Sequence, residues 1–171
     1  MVDILGATRI FADHYQFVLC EEPDRPLADD ENWTDAILDR GYAGAPEWRM
    51  IGTEADLNDH WIELAVSAEA PNTADWHKIV CCDFHTVSGA VHLLGLMDFE
   101  AAITAQVDPG TYSAHICCLN PGVDQQTTGE LDAGAEMLSD AELQARGDLE
   151  RYRVVLVPGT PERTGVLYEV T

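Results

Sequence analysis

Apolar residues recur with a period of two along most of the chain, the spacing that sets alternate side chains on opposite faces of a strand. From Thr8 to Glu21 the alternation runs through Tyr15, Phe17 and Leu19 and breaks at Asp13-His14. This predicts two short strands, or one bent strand with a bulge. His60 to Ala68 places Ile62, Leu64 and Val66 on one face, with Trp61, Glu63 and Ala65 on the other. Trp76 to Phe84 holds the unbroken apolar run Ile79-Val80-Cys81-Cys82, as a strand covered on both faces does. Thr86 to Leu94 follows after a short break. Phe99, Ala101, Ile103, Ala105 and Val107 then alternate, although the alanines leave helix open there. Tyr112, Ala114, Ile116 and Cys118 share a face between two turn signals, Asp108-Pro109-Gly110 and Asn120-Pro121-Gly122. Tyr152, Val154 and Leu156 alternate before the Pro158-Gly159-Thr160-Pro161 turn, and Val166, Tyr168 and Val170 make a last strand. About eight to ten short strands at such spacing predict a mainly β fold, an antiparallel β-sandwich or barrel, of which we take the sandwich.

Two segments break the alternation. Trp33 to Gly41 reads as a short helix, capped by Asn32 or Thr34 and ended by Gly41. Ser139 to Glu150 reads as a second, with Ser139 and Glu142 spaced as a capping box. Val123 to Gly134 is polar and Gly-rich, the composition of a loop. At 171 residues, residues 1–171 are expected to form a single β-sandwich domain, since domains commonly run to about 100–200 residues. Within it, 122–150 is a loop with a helix insertion and 151–171 supplies the final strands.

Charge changes the picture more than length does. The net charge is −22 and the sequence pI is near 4.2, a field that repels phosphate backbones and anionic bilayers. No direct nucleic-acid binding and no membrane insertion are therefore expected. No apolar run approaches the roughly 20 residues that span a bilayer, and no signal-peptide pattern opens the chain. Five cysteines, Cys20, Cys81, Cys82, Cys117 and Cys118, are an odd number with two adjacent doublets, so reduced thiols and a cytoplasmic location are expected.

Candidate chemistry is sparse. The six histidines, His14, His60, His77, His85, His92 and His115, lack zinc-ligand spacing, although strands could bring Cys117, Cys81 and a histidine together. There is no nucleophile elbow around Ser88 or Ser113 and no Gly-rich phosphate loop. Lys78, the sole lysine, reads as an exposed strand charge. We expect no catalytic residues, no metal site and no cofactor.

The densest feature is acidic. Glu21 to Asp39 contains Glu21, Glu22, Asp24, Asp29, Asp30, Glu31, Asp35 and Asp39 against one base, Arg25, with Trp33 and Tyr42 nearby. Aromatic anchors in a charged rim suit a protein interface, and opposite charge steers a basic partner. A solvated acidic face, as in salt-adapted proteins, remains open, and so does a small-ligand or metal-binding sandwich module. A hydrolase would need several perturbed acids to converge in one pocket. Exposed strand edges also leave a homodimer open.

The order His14-Tyr15-Gln16-Phe17, an acidic Pro-containing loop, then Trp33-Thr34-Asp35-x-Ile37-x-x-x-Gly41-Tyr42-Ala43 resembles the competence protein J (ComJ) family. Phe99 to Val107 followed by Asp108-Pro109-Gly110-Thr111-Tyr112 resembles that family's strand, Pro/Gly turn and Tyr-bearing strand. The matches run between about Phe11 and Pro121. The resemblance implies a bacterial, competence-associated, acidic protein that binds and blocks a basic DNA-degrading nuclease. It implies no catalytic residue. Under it, Asp29, Asp30, Glu31, Asp35 and Asp39 stand in for phosphates, with Trp33 or Tyr42 as anchors. In the other reading Trp33, Ile37 and Tyr42 dock the short helix onto the sandwich.

Overall fold

Alternation of this kind leaves each strand with one face to bury, and two sheets placed face to face satisfy it. The computed structural model describes residues 1–24, 33–123 and 138–171. Among these, the strands are β1 (Val2–Ala12), β2 (Gln16–Cys20), β3 (Tyr42–Ala45), β4 (Trp48–Gly52), β5 (Asn58–Ser67) and β6 (Lys78–Thr86). They continue with β7 (Ala90–Gly95), β8 (Ile103–Gln106), β9 (Gly110–Leu119), β10 (Arg151–Pro158) and β11 (Gly165–Glu169). Helices α1 (Asp35–Arg40) and α2 (Asp140–Ala145) complete the order.

One sheet has the order β1-β5-β10-β9-β6-β11, the other β3-β4-β2-β7-β8. Neighbours are antiparallel except β10, which runs parallel to β5. A parallel pair needs a long crossover, and these two strands are far apart in sequence. The break at Asp13-His14 is where the chain leaves the first sheet, as the end of β1, and enters the second as β2.

The main core lies between the sheets. Phe17, Leu19 and Ile51 meet Ile62, Leu64, Val80, Phe84, Ile116, Val154 and Leu156 there. Val18, Cys20, Trp48 and Met50 form a second cluster, under Trp33 and Ile37. On the far side Ala65, Ile79, Cys117 and Val155 pack with Trp76 and Tyr168, while Trp61 packs with Leu143 of α2. The doubly covered strand expected at Ile79-Cys82 is β6.

Several elements differ from the sequence reading. β8 starts only at Ile103, and Phe99 is 94% exposed, because Leu96 to Ala102 form the turn between β7 and β8. The hairpin β3–β4 has no alternation signal in the sequence, because Tyr42–Ala45 is four residues long and contains Gly44. A bulge between Val166 and Tyr168 sends Val166 to the main core and Tyr168 to the outer cluster, breaking their shared phase. α2 stops at Ala145, short of Glu150, though Ser139 does cap it by accepting from the Glu142 amide at 3.2 Å. Beyond Val123, the Val123–Gly134 stretch lies outside the described residues. No helix among the described residues is long and apolar enough to cross a membrane.

Candidate functional site

At one end of the sandwich the two sheets leave a cleft of about 590 Å³. Strand register builds its floor. Lys78, Cys118 and Tyr152 stand opposite one another on β6, β9 and β10, and Val80 and Ile116 form the next row inward. Lys78 shares the phase of Val80, Cys82 and Phe84, so the sole lysine belongs to the face that looks between the sheets. Gln16, Gly52 and Thr53 line the cleft from the other sheet, with His14 and Tyr15 from the β1–β2 turn. Trp33, Leu38 and Gly41, from α1 and its flanks, close it on a third side.

Local sequence explains why α1 can sit there. Thr34 caps the helix by accepting from the Ile37 amide at 3.3 Å. Gly41 ends it with φ 88°, a left-handed conformation that favours glycine. A Cβ on Gly41 would also lie 2.9 Å from Val80 Cγ2. Gly52 lets the chain come close, its amide donating to Gly41 O at 3.0 Å. Trp33 lies beside Gly52 and donates from Nε1 to Gln16 Oε1 at 3.2 Å.

The polar groups of the cleft are firmly engaged. Lys78 Nζ meets Glu54 Oε1 at 2.6 Å and Glu169 Oε1 at 3.7 Å. These partners outweigh burial and raise the Lys78 pKa, which keeps the ammonium charged. Behind the floor, Glu150 Oε1 accepts from the Glu54 and Ala55 amides at 3.0 and 3.4 Å and from the Tyr152 hydroxyl. Its Oε2 accepts from Gly122 N at 2.7 Å. Burial pushes the Tyr152 phenol well above its ordinary range. A buried carboxylate surrounded by fixed backbone donors is a clamp between loops, and His60, bonded to Glu150 O at 3.1 Å, braces it.

The lip is apolar and strained. Leu38 and Tyr15 are 58% and 48% exposed. His14 and Tyr15 have φ of 56° and 58°, an unusual pair of non-glycine residues in the left-handed region. Tyr15 is held by donating its amide to Asp56 Oδ1 at 2.9 Å and accepting from Thr53 N at 2.8 Å.

The residues singled out in sequence fall in several places. Asp29, Asp30 and Glu31 lie outside the described residues. Asp35 and Asp39 are exposed on α1, flanking Leu38, and Trp33 is half-buried beside the cleft. Tyr42, a candidate anchor in one reading and a packing residue in the other, is a core residue: it is 4% exposed, with the Arg40 and Arg49 guanidiniums 4.3 and 5.1 Å from its ring centre. Lys78, read as an exposed charge, is a half-buried cleft residue. Its strand phase carried that signal. Tyr152 and Glu54 were not singled out, and nothing local to them marks the site.

Cys81 faces His115 across β6 and β9, but Cys117 faces Ile79. Among the described residues no group of three or more His, Cys, Asp or Glu side chains could hold a metal ion. All five cysteines are free and buried. Burial pushes Cys20, Cys82 and Cys117 up to about 12 and Cys81 to about 11.

The sequence matches no family model and no curated protein. Two solved structures are similar in fold. ComJ of Bacillus subtilis, inhibitor of the DNA-degrading activity of NucA, is 19% identical, with TM-score 0.63 over 92% of this chain and 98% of its own. The product of crocagin biosynthetic gene J is 13% identical, with TM-score 0.55 over 95% of this chain and 98% of its own. The chain has a ComJ-like fold.

Proposed function

We propose that the protein is a non-enzymatic inhibitor that binds a basic, DNA-degrading nuclease and blocks its substrate groove. The observation that carries this reading is the ComJ-like fold along nearly the whole chain, joined to a net charge of −22. A nuclease that grips DNA must present cations to phosphates, and a carboxylate-rich surface competes for them. Asp29, Asp30, Glu31, Asp35 and Asp39 supply that surface in this reading, with Trp33 as the aromatic beside it. In this reading the inhibitor itself is a reduced, cytoplasmic protein and needs no cofactor.

The test is a titration of the full chain against a DNA-degrading nuclease of the source organism, with NucA as comparison. Stoichiometric inhibition that weakens as salt rises is expected, because each ion pair is screened. Replacing Asp35 and Asp39 with Asn lowers affinity about tenfold if each exposed charge contributes roughly 0.5–1 kcal/mol. Full nuclease activity at stoichiometric excess and low salt overturns the proposal.

A further inference from the structure

We infer that the cleft under α1 is the docking site for one protruding apolar side chain of a basic protein, an aromatic or long aliphatic residue flanked by Lys or Arg. The inference rests on the inhibitor reading for the partner's charge, and on the cleft itself for everything else. Val80, Ile116 and the Tyr152 ring make an apolar floor, and about 590 Å³ is room for a large side chain. Its lip exposes Leu38 and Tyr15, apolar groups that folding left in water. On α1, Asp35 lies three residues before Leu38 and on the same helix face, so a carboxylate stands next to the lip.

Charge decides between occupants. Among the described residues the one Lys or Arg lining the cleft, Lys78, is already paired with Glu54 and Glu169. An anionic small molecule would have to displace a 2.6 Å ion pair and approach past Asp35 in the field of a net charge of −22. An apolar side chain with cationic neighbours meets neither obstacle. The turn at His14-Tyr15 fits the same role: two left-handed non-glycine residues are held so that Tyr15 stands at the mouth.

Three capped tripeptides, acetyl-Lys-Phe-Lys-amide, acetyl-Lys-Gly-Lys-amide and acetyl-Glu-Phe-Glu-amide, test this against the full chain by amide chemical-shift titration. The Lys-Phe-Lys peptide is expected to shift Tyr15, Gly41, Gly52 and the Trp33 indole, and to bind at least about fivefold more tightly than the other two. The variants Leu38→Ser and Tyr15→Gly alter only the exposed lip, and glycine accepts the Tyr15 backbone, so folding is retained. Together they should abolish the preference for Phe over Gly. Equal binding of all three peptides, or shifts confined to another surface, overturns the inference. So does a concentration-dependent dimer that Leu38→Ser dissolves, which would give the lip to a second copy, or a non-peptide molecule found in the cleft after purification. If the peptide binds the cleft but no nuclease is inhibited, docking stands and the nuclease reading fails. If inhibition survives in the double variant and the peptide does not bind, the reverse holds.

Discussion

Glu21 Oε1 accepts from the Val87 and Ser88 amides, both at 2.7 Å, and from the hydroxyls of Thr86 and Ser88. One carboxylate thereby ties the end of β2 to the turn between β6 and β7. The Ser88 backbone bond leads the effects that lower its pKa below the ordinary carboxylate value. A depressed folded-state pKa contributes stability above the unfolded value, and that contribution is lost as pH falls through the folded one. Glu21→Gln should therefore lower Tm at pH 7 and have a smaller effect near pH 3, read by thermal melts of both proteins. An equal loss at both pH values would show that charge is irrelevant there. Arg49 illustrates the same scale from the cationic side. Its guanidinium, 5% exposed as a residue, donates to Gly44 O and to both the backbone and the carboxylate of Asp83, and it faces the Tyr42 ring. Tyr42 itself is interior because β3 pairs it with Ile51 of β4 and its side chain belongs to the main core, where the Arg40 and Arg49 guanidiniums lie against its ring.

At the scale of elements, α1 is six residues long, too short to be stable alone, and its position comes from contacts at both ends. Ile37 and Trp33 pack on the outer cluster of the second sheet, while Gly41 brings the chain against Val80 of the first. Gly41→Ala should destabilise the fold by about 1–2 kcal/mol, from the left-handed backbone and the crowding at Val80. Urea denaturation measures it, and a change below a few tenths would mean that α1 does not need this close approach. The same variant should also disturb the cleft, since Gly41 and Val80 both line it. The cap residues and Gly41 were legible in sequence because caps act locally. The docking surface of α1 was not, because it belongs to strands far along the chain.

Across the whole molecule, the surplus of carboxylates makes the folded state self-repelling. Raising sodium chloride from about 0.05 M to about 1 M shortens the Debye length to about 3 Å, so Tm should rise with salt. A flat or falling Tm would mean that the acids are locally compensated. This measurement also separates two effects of salt: screening should stabilise the protein and weaken its complex with a basic partner. The two sheets, six and five strands, hold their shared core without disulfides, since all five thiols are free and buried.

The alternation of apolar residues was enough to place most strands, to phase β5, β9 and β10, and to predict a two-faced β architecture, because side-chain direction in a strand depends only on parity. Charge and cysteine counts needed no structure either. Strand neighbours, the parallel pairing of β10 with β5 and the bulge in β11 were decided by the tertiary structure, because pairing partners are set by long-range packing. The cleft follows from those same choices. Lys78, Cys118 and Tyr152 are separated by 40 and 34 positions in sequence and meet only because β6, β9 and β10 adopt one register.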